Sequence, residues 1–214
     1  MHDVNNNLNF IQKKIHQINP DVKIIVVSKT FPIEKIMPLI KNGHKSFGEN
    51  KVQEAKEKWQ DIKLKFPDLK LHLIGKLQTN KVKYVIPLFD YIHSLDNLKL
   101  AEKISQEQKK TNKNLKIFIQ VNIGGEIQKN GINSADLKNF YDKCVNDLNL
   151  NIIGLMCIPP QSDNSNLYFK EMFKLKNSIG LQHLSMGMSS DYIEAVEHGA
   201  SFVRIGSKIF GNRV

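Results

Sequence analysis

The chain has 214 residues, 41% of them hydrophobic, enough for one substantial core and within the size at which α/β barrels form a single domain, here expected over 1–214. No run approaches the ~20 apolar residues of a membrane-spanning helix, and the start Met1-His2-Asp3-Val4-Asn5 lacks the basic and apolar segments of a secretion signal, so a cytoplasmic protein with no membrane partner is expected. The formal charge of +10 comes from lysines spread over every helical segment and interleaved with glutamate, as in Glu54-Ala55-Lys56-Glu57-Lys58, with no aromatic-interleaved basic stripe, which argues against nucleic acid.

An opening helix, roughly Val4 to Gln17, precedes the first strand, Val22 to Lys29, whose β-branched centre reads as buried on both faces. A helix starts at Pro32 and stops at the Asn42-Gly43 cap signal. Strand 2, Lys45 to Glu49, leads to a long amphipathic helix from Asn50 to about Leu64. Strand 3 is Leu69 to Gly75, its helix Thr79 to Leu88, and strand 4 Tyr91 to Leu95. A helix from Leu98 to about Lys110 ends in the polar turn Thr111 to Asn114, before strand 5, Leu115 to Ile123. The loop Gly124 to Asn133 leads to a helix opened by Ser134. Strand 6, Asn151 to Ile158, is closed by Pro159-Pro160, and a helix follows from Asn166 to Ser178. Strand 7 is Gln182 to Met186, its helix Ser190 to His198, and strand 8 Ser201 to Gly206. This alternation, with no leftover antiparallel run, predicts an α/β fold of the closed (β/α)8 TIM-barrel type with an extra N-terminal helix.

Barrels of this kind gather their sites at the C-terminal ends of the strands. The polar residues that interrupt the apolar strands fall there: Lys29, Glu49 with Asn50, Lys76 and Gln78, Asn122, Ser185 with Ser189, and Arg204 with Ser207. A lysine at the lip of strand 1 is partly desolvated, which pushes an amine toward its neutral, nucleophilic form and suits a Schiff base with an aldehyde, most often pyridoxal phosphate (PLP). A lysine snorkelling off a strand end is the plainer reading of the same residue. The loops after strands 7 and 8, Ser185-Met186-Gly187-Met188-Ser189-Ser190 and Gly206-Ser207-Lys208-Ile209-Phe210-Gly211, hold the glycines and hydroxyls that a phosphate site uses; ordinary turns would also use them. Only Arg204 and Arg213 are arginines among 31 basic residues, and Arg204 lies within the apolar strand Phe202-Val203-Arg204-Ile205-Gly206, where a planar, permanently charged fork is required. Cys144 and Cys157 have no CxxC spacing and no histidine at metal-ligand spacing, so both are expected as buried free thiols and no metal is expected.

Six ordered motifs carry a family resemblance over nearly the whole chain: Val26-Val27-Ser28-Lys29-Thr30; Phe47-Gly48-Glu49-Asn50; His72-Leu73-Ile74-Gly75 with Leu77-Gln78-Thr79-Asn80-Lys81; Gly154-Leu155-Met156 with Ile158-Pro159-Pro160; Leu184-Ser185-Met186-Gly187-Met188-Ser189; and Val203-Arg204-Ile205-Gly206 with Ile209-Phe210-Gly211. The sequence resembles the YggS/PROSC family of pyridoxal phosphate homeostasis proteins. The resemblance implies a barrel like the alanine racemase N-terminal domain and PLP held as a lysine aldimine, with no established turnover. It matches Lys29 to the Schiff-base lysine, Arg204 to the arginine facing the pyridine nitrogen, Ser185, Ser189, Gly206 and Ser207 to the phosphate loops, and Asn50 to a rim residue near the cofactor. Lys76, Ser207 and Gly124 depart from the commonest family residues without removing a cofactor group.

Arginine can only donate to the pyridine nitrogen, which leaves that nitrogen unprotonated and the carbanion poorly stabilised. Alanine racemase completes its acid-base pair with a second domain and a neighbouring subunit. Here Val214 lies only a few residues beyond strand 8, and no such domain is expected. The expected function is therefore PLP homeostasis without efficient catalysis, by a monomer that exchanges the cofactor with apo PLP-dependent enzymes or buffers it. The alternative is a minimal fold-type III PLP enzyme such as an amino-acid racemase, for which Tyr84, Tyr91, His72 and Glu49 are the available acids and bases.

Overall fold

The computed structural model describes residues 3–126, 128, 130–160 and 164–211. Eight parallel strands close into a barrel in sequence order: β1 Lys23–Val27, β2 Ser46–Glu49, β3 Lys70–Leu73, β4 Tyr91–Leu95, β5 Lys116–Gln120, β6 Ile152–Met156, β7 His183–Ser185 and β8 Phe202–Ile205. Pairing of β1 with β8 closes the ring and sets Ile25 beside Arg204 and Val26 beside Ile205. Around it lie α1 Val4–His16, α2 Ile33–Lys41, α3 Val52–Lys65, α4 Val82–Leu88, α5 Leu98–Thr111, α6 Leu137–Asp142, α7 Ser165–Ser178, α8 Tyr192–Glu197 and α9 Ser207–Phe210. This is the expected (β/α)8 barrel with its extra N-terminal helix.

Most elements are shorter than their apolar runs suggested, because a parallel strand stops where its partner's ladder stops rather than where hydrophobicity ends. Strand 1 was expected to reach Lys29 and ends at Val27, so Ser28 and Lys29 belong to the following loop. Strand 5 stops at Gln120 and strand 6 at Met156, which leaves Ile123 and Ile158 outside the ladders. The segment opened by Ser134 is three pieces: a 3-10 turn over Ser134–Asp136, then α6, then a π turn over Lys143–Asp147 that contains the buried thiol of Cys144.

Alternation along each strand sorts the core into two bodies. One lies between strands and helices and includes Val26, Phe47, Trp59 and Ile205. The other fills the barrel itself with Ile25, Tyr91, Phe118, Met156 and Phe202. Barrel interiors are usually layered with branched aliphatic residues. Here the interior is aromatic: Phe118 meets Phe202 edge-on at 5.4 Å, and His93 stacks on Phe118 at 4.3 Å. Tyr91 and Phe202 are the first residues of their strands, so this aromatic plug seals the N-terminal end and the opposite end stays open.

Two contacts tie the outer elements to the open end. Asn7 on α1 donates to the carbonyl of Ile209 at 2.9 Å, and Phe31, in the loop after β1, stacks on Phe210 of α9 at 4.4 Å. The opening helix, anchored by the buried Leu8, Ile11 and Ile15, thereby supports α9 from behind.

Gly154 shows how little slack the wall has. A Cβ there would collide with the backbone carbonyl of His183 on β7 and with the Phe118 ring. Gly154→Ala is expected to destabilise the barrel by about 1–3 kcal/mol, read from urea unfolding midpoints at an unchanged m-value.

Candidate functional site

A cleft of about 810 Å³ opens at the C-terminal ends of the strands. Six of the sequence-predicted residues line it together: Lys29 after β1, Asn50 after β2, Ser189 after β7, Arg204 from β8, and Gly206 and Ser207 where β8 turns into α9. Its walls are apolar, with Val27, Phe31, Ile74, Ile158 and Met188, and Ser190 and Lys208 add further donors. Lys29 is half-buried there. Ser189 and Gly206 approach one another, the Gly206 N–H donating to the Ser189 hydroxyl at 3.4 Å, so the two loops form one continuous edge.

Ser185 is placed differently. It is fully buried in the barrel and does not line the cleft, because Ser185 closes β7 with its side chain directed inward, four residues before Ser189. Its hydroxyl accepts from Arg204 Nη1 at 2.8 Å and lies 2.9 Å from His93 Nδ1. Ser185, expected in the phosphate loops, thus lies beneath the guanidinium and outside the cleft lining.

Arg204 is only 5% exposed, and a buried charge demands acceptors. Nη1 donates to the Ser185 carbonyl at 2.7 Å as well as to its hydroxyl, and Nη2 donates to the Cys157 carbonyl at 2.8 Å. Its backbone N–H donates to the Gly187 carbonyl at 2.9 Å. These bonds use one side of the fork and leave Nε–H without a protein acceptor among the described residues, at a cleft that the side chain lines.

The string continues inward. His93 Nε2 lies 2.9 Å from His72 Nδ1, and His72 stacks on Tyr91 at 4.1 Å. Arginine only donates, so the Ser185 oxygen accepts from it and its own hydrogen is free for His93 Nδ1; His93 then carries its proton on Nε2 and donates to His72 Nδ1. His72 Nε2 ends the string, buried and without a partner among the described residues. Burial, then the charges of His44, Lys23 and more distant lysines, push the His72 pKa down to about 3. Burial, then His72 and Arg204, hold that of His93 well below the usual imidazole value. Both rings are neutral at pH 7. The sequence reading gave His93 no role; its signal was a histidine two positions after Tyr91 in a short strand, on the same face as the aromatic plug.

None of the four available acids and bases reaches the cleft. His72 and Tyr91 lie in the barrel plug, and Tyr84 projects from α4 among Lys56, Lys81 and Lys83. Glu49, fully buried, turns away from the axis toward α3, where Oε1 accepts from Trp59 Nε1 at 2.9 Å, Ser28 Oγ at 2.8 Å and Lys58 Nζ at 3.0 Å. Among the described lining residues the titratable groups are Lys29, Arg204 and Lys208, all cationic types. The donor set suits an anion bearing an electrophile: two primary amines, a guanidinium, and hydroxyls on adjoining loops.

The family model for the alanine racemase N-terminal domain matches residues 1–214. A pyridoxal phosphate homeostasis protein of Aquifex aeolicus is 41% identical over 200 residues, 89% of this chain and 87% of the relative. This chain belongs to the pyridoxal phosphate homeostasis protein family. PipY of Synechococcus elongatus, solved with PLP bound, is 33% identical with a TM-score of 0.87, covering 98% of this chain and all of that one. An alanine racemase of Clostridium difficile shares the fold at a TM-score of 0.73 and 15% identity, over 97% of this chain and 57% of the larger protein. In this family member, then, Lys29, Asn50, Ser189, Arg204, Gly206 and Ser207 lie together around one cleft at the C-terminal ends of the strands.

The neutral histidines make stability depend on pH. Their folded pKa values lie below the unfolded value of about 6.5, so the unfolded chain binds more protons in between and stability falls as pH drops below that value. The slope is expected to approach ~1.4 kcal/mol per pH unit for each histidine before carboxylates begin to titrate. Urea midpoints between pH 7 and pH 5 should fall steeply for the wild type and less steeply for His72→Gln.

Proposed function

We propose that this chain binds PLP in the cleft, holds it reversibly on Lys29, and serves PLP homeostasis in the cytoplasm by buffering the cofactor or exchanging it with apo PLP-dependent enzymes. The carrying observation is the joint placement of Lys29, Arg204 and the Ser189/Gly206/Ser207 edge around one apolar-walled cleft. When bound, PLP supplies an aldehyde that condenses reversibly with a primary amine. Lys29 provides that amine from the lip of β1. Ser189 and Ser207 hydroxyls and the backbone at Gly206 receive the phosphate; a Cβ at Gly206 would press on the Val27 carbonyl at 3.2 Å, so glycine lets this edge pack closely against the end of β1. Asn50 supports the rim beside Lys29. The remaining Nε–H of Arg204 donates toward the pyridine nitrogen.

Non-catalytic holding is favoured by what the residues do with protons. Burial pulls the Arg204 pKa down from the usual guanidinium value, but its role toward the ring nitrogen is that of a hydrogen-bond donor and not of a proton source. A racemase needs an acid and a base on opposite sides of its substrate, and the described lining residues include no carboxylate, tyrosine, histidine or cysteine. The free thiols of Cys144 and Cys157, the latter pushed up to about 12 by burial, suit a reducing compartment.

Two measurements test the reading. After PLP loading and borohydride reduction, peptide mapping is expected to place the added mass on Lys29, and Lys29→Ala should lose both the mass and the visible absorption band while keeping its circular dichroism. The same wild-type preparation should racemise alanine no faster than free PLP; turnover of ~1 s⁻¹ or more would establish an enzyme.

The phosphate edge is tested by ligand pairs. Ser189→Ala and Ser207→Ala should each weaken PLP by about 1.5–3 kcal/mol, roughly ten- to a hundredfold, and leave pyridoxal, which lacks the phosphate, unchanged. Ser185→Ala should instead weaken both ligands alike, since it acts through Arg204.

A further inference from the structure

A lysine that captures an aldehyde must be presented at a fixed point, yet Lys29 lies in the loop just beyond β1. The next residue, Thr30, has φ of 68°, one of three non-glycine residues in the left-handed region among those described. A β-branched side chain is a genuine outlier there, and such a turn persists only where its surroundings impose it.

Those surroundings come from α3. Glu54 Oε1 accepts the Thr30 N–H at 2.5 Å. Lys58 Nζ donates to the Ser28 carbonyl at 2.9 Å, to Glu49 Oε1 at 3.0 Å and to Glu54 Oε1 at 2.9 Å, which uses all three hydrogens of the ammonium. The Lys58 side chain is 9% exposed, and Glu49 is fully buried. Ser28 is gripped a second time, its hydroxyl donating to Glu49 Oε1, and Trp59 Nε1 fixes that same oxygen from one residue further along α3. The Phe31 N–H closes the turn onto the Ser28 carbonyl at 3.2 Å. Both neighbours of Lys29 are thus bonded to α3, through Lys58 and Glu54, and Ser28 also to Glu49 at the end of β2; none of these three side chains lines the cleft.

We propose that Glu49, Glu54 and Lys58 are positioning residues for Lys29: they clamp Ser28 and Thr30 to α3 and to the end of β2 and hold the left-handed turn that presents the Lys29 amine to the cleft. The inference rests on Lys29 being the amine that holds PLP. It gives the buried Glu49, which as an acid-base group would be misplaced, a task in the backbone behind the reacting residue. Burial raises the Glu49 pKa, and Lys58, Trp59 and Ser28 counter that effect by stabilising the carboxylate.

The decisive comparison is between PLP and pyridoxine 5'-phosphate, which keeps the ring and phosphate but has an alcohol where PLP has the aldehyde. Misplacing the amine harms only the first. Glu54→Ala, at a side chain 26% exposed, is expected to fold and to weaken PLP about tenfold, the worth of one charge-assisted hydrogen bond, with pyridoxine 5'-phosphate within about twofold of wild type. Lys58→Met should show the same split, more strongly. Adding Thr30→Gly to Glu54→Ala should restore most of the PLP affinity, because glycine adopts positive φ without the clamp. Equal weakening of both ligands, no weakening of either, or no rescue by Thr30→Gly would overturn the clamp. If Lys58→Met does not fold, the Glu54→Ala pair and its rescue decide alone. The wild-type borohydride adduct separates the two readings: an adduct away from Lys29 refutes the assignment of Lys29 itself, whereas an adduct on Lys29 with indiscriminate variants refutes only the clamp.

Discussion

A guanidinium held at 5% exposure inside a closed barrel has to find its acceptors within the barrel, and much of this structure answers that demand. β6 and β7 deliver two carbonyls, from Cys157 and Ser185, to one side of the Arg204 fork. The Ser185 hydroxyl takes the third bond and passes the polarity on to His93 and His72. A polar string through a core is costly unless each member is satisfied in turn. Here the cost is moderated by neutral histidines whose flat faces pack against Phe118 and Tyr91 as aromatic rings would. The reward is a cation whose orientation is set before any ligand arrives.

The barrel thereby divides along its axis. The N-terminal half is a largely aromatic plug that fills space and packs around the histidines. The C-terminal half is hollow, and every side chain that a phosphorylated aldehyde would meet enters it from a strand end or from the loop just past one. Each side of this mouth has its own external brace. α1 and Phe31 steady α9 behind Ser207, and α3 grips the backbone around Lys29 at the end of the neighbouring strand β1. Both braces therefore stand directly behind the two groups proposed to hold the aldehyde and the phosphate, Lys29 and the Ser189/Gly206/Ser207 edge.

Much of this was legible in the chain. The β-α alternation specified the barrel because apolar runs bounded by turn residues need only local information to be read. The motif residues at strand ends marked the mouth, since a lysine or arginine bordering an apolar run has few places to go. Less was legible about direction. Glu49 and Asn50 are neighbours at the end of β2, yet Asn50 lines the cleft and Glu49 faces α3. Ser185 and Ser189 belong to one motif, yet one is sealed beneath Arg204 and the other stands at the edge. His93 carried no mark beyond its position in an otherwise unremarkable strand.

Taken alone, then, the sequence determined which residue types are present, in what order, and that they end up at the strand termini of a parallel barrel. Only the tertiary structure decided which of them face the axis. Successive side chains of a strand point to opposite faces, so the answer turns on a single residue of register and on where each ladder stops. Those are fixed by pairing with neighbours far away in the chain, as β1 is fixed by β8. The same dependence explains why the clamp around Lys29 could not be read: Ser28, Thr30, Glu49, Glu54 and Lys58 meet only after α3 has docked on the closed barrel, and no spacing along the chain encodes that meeting.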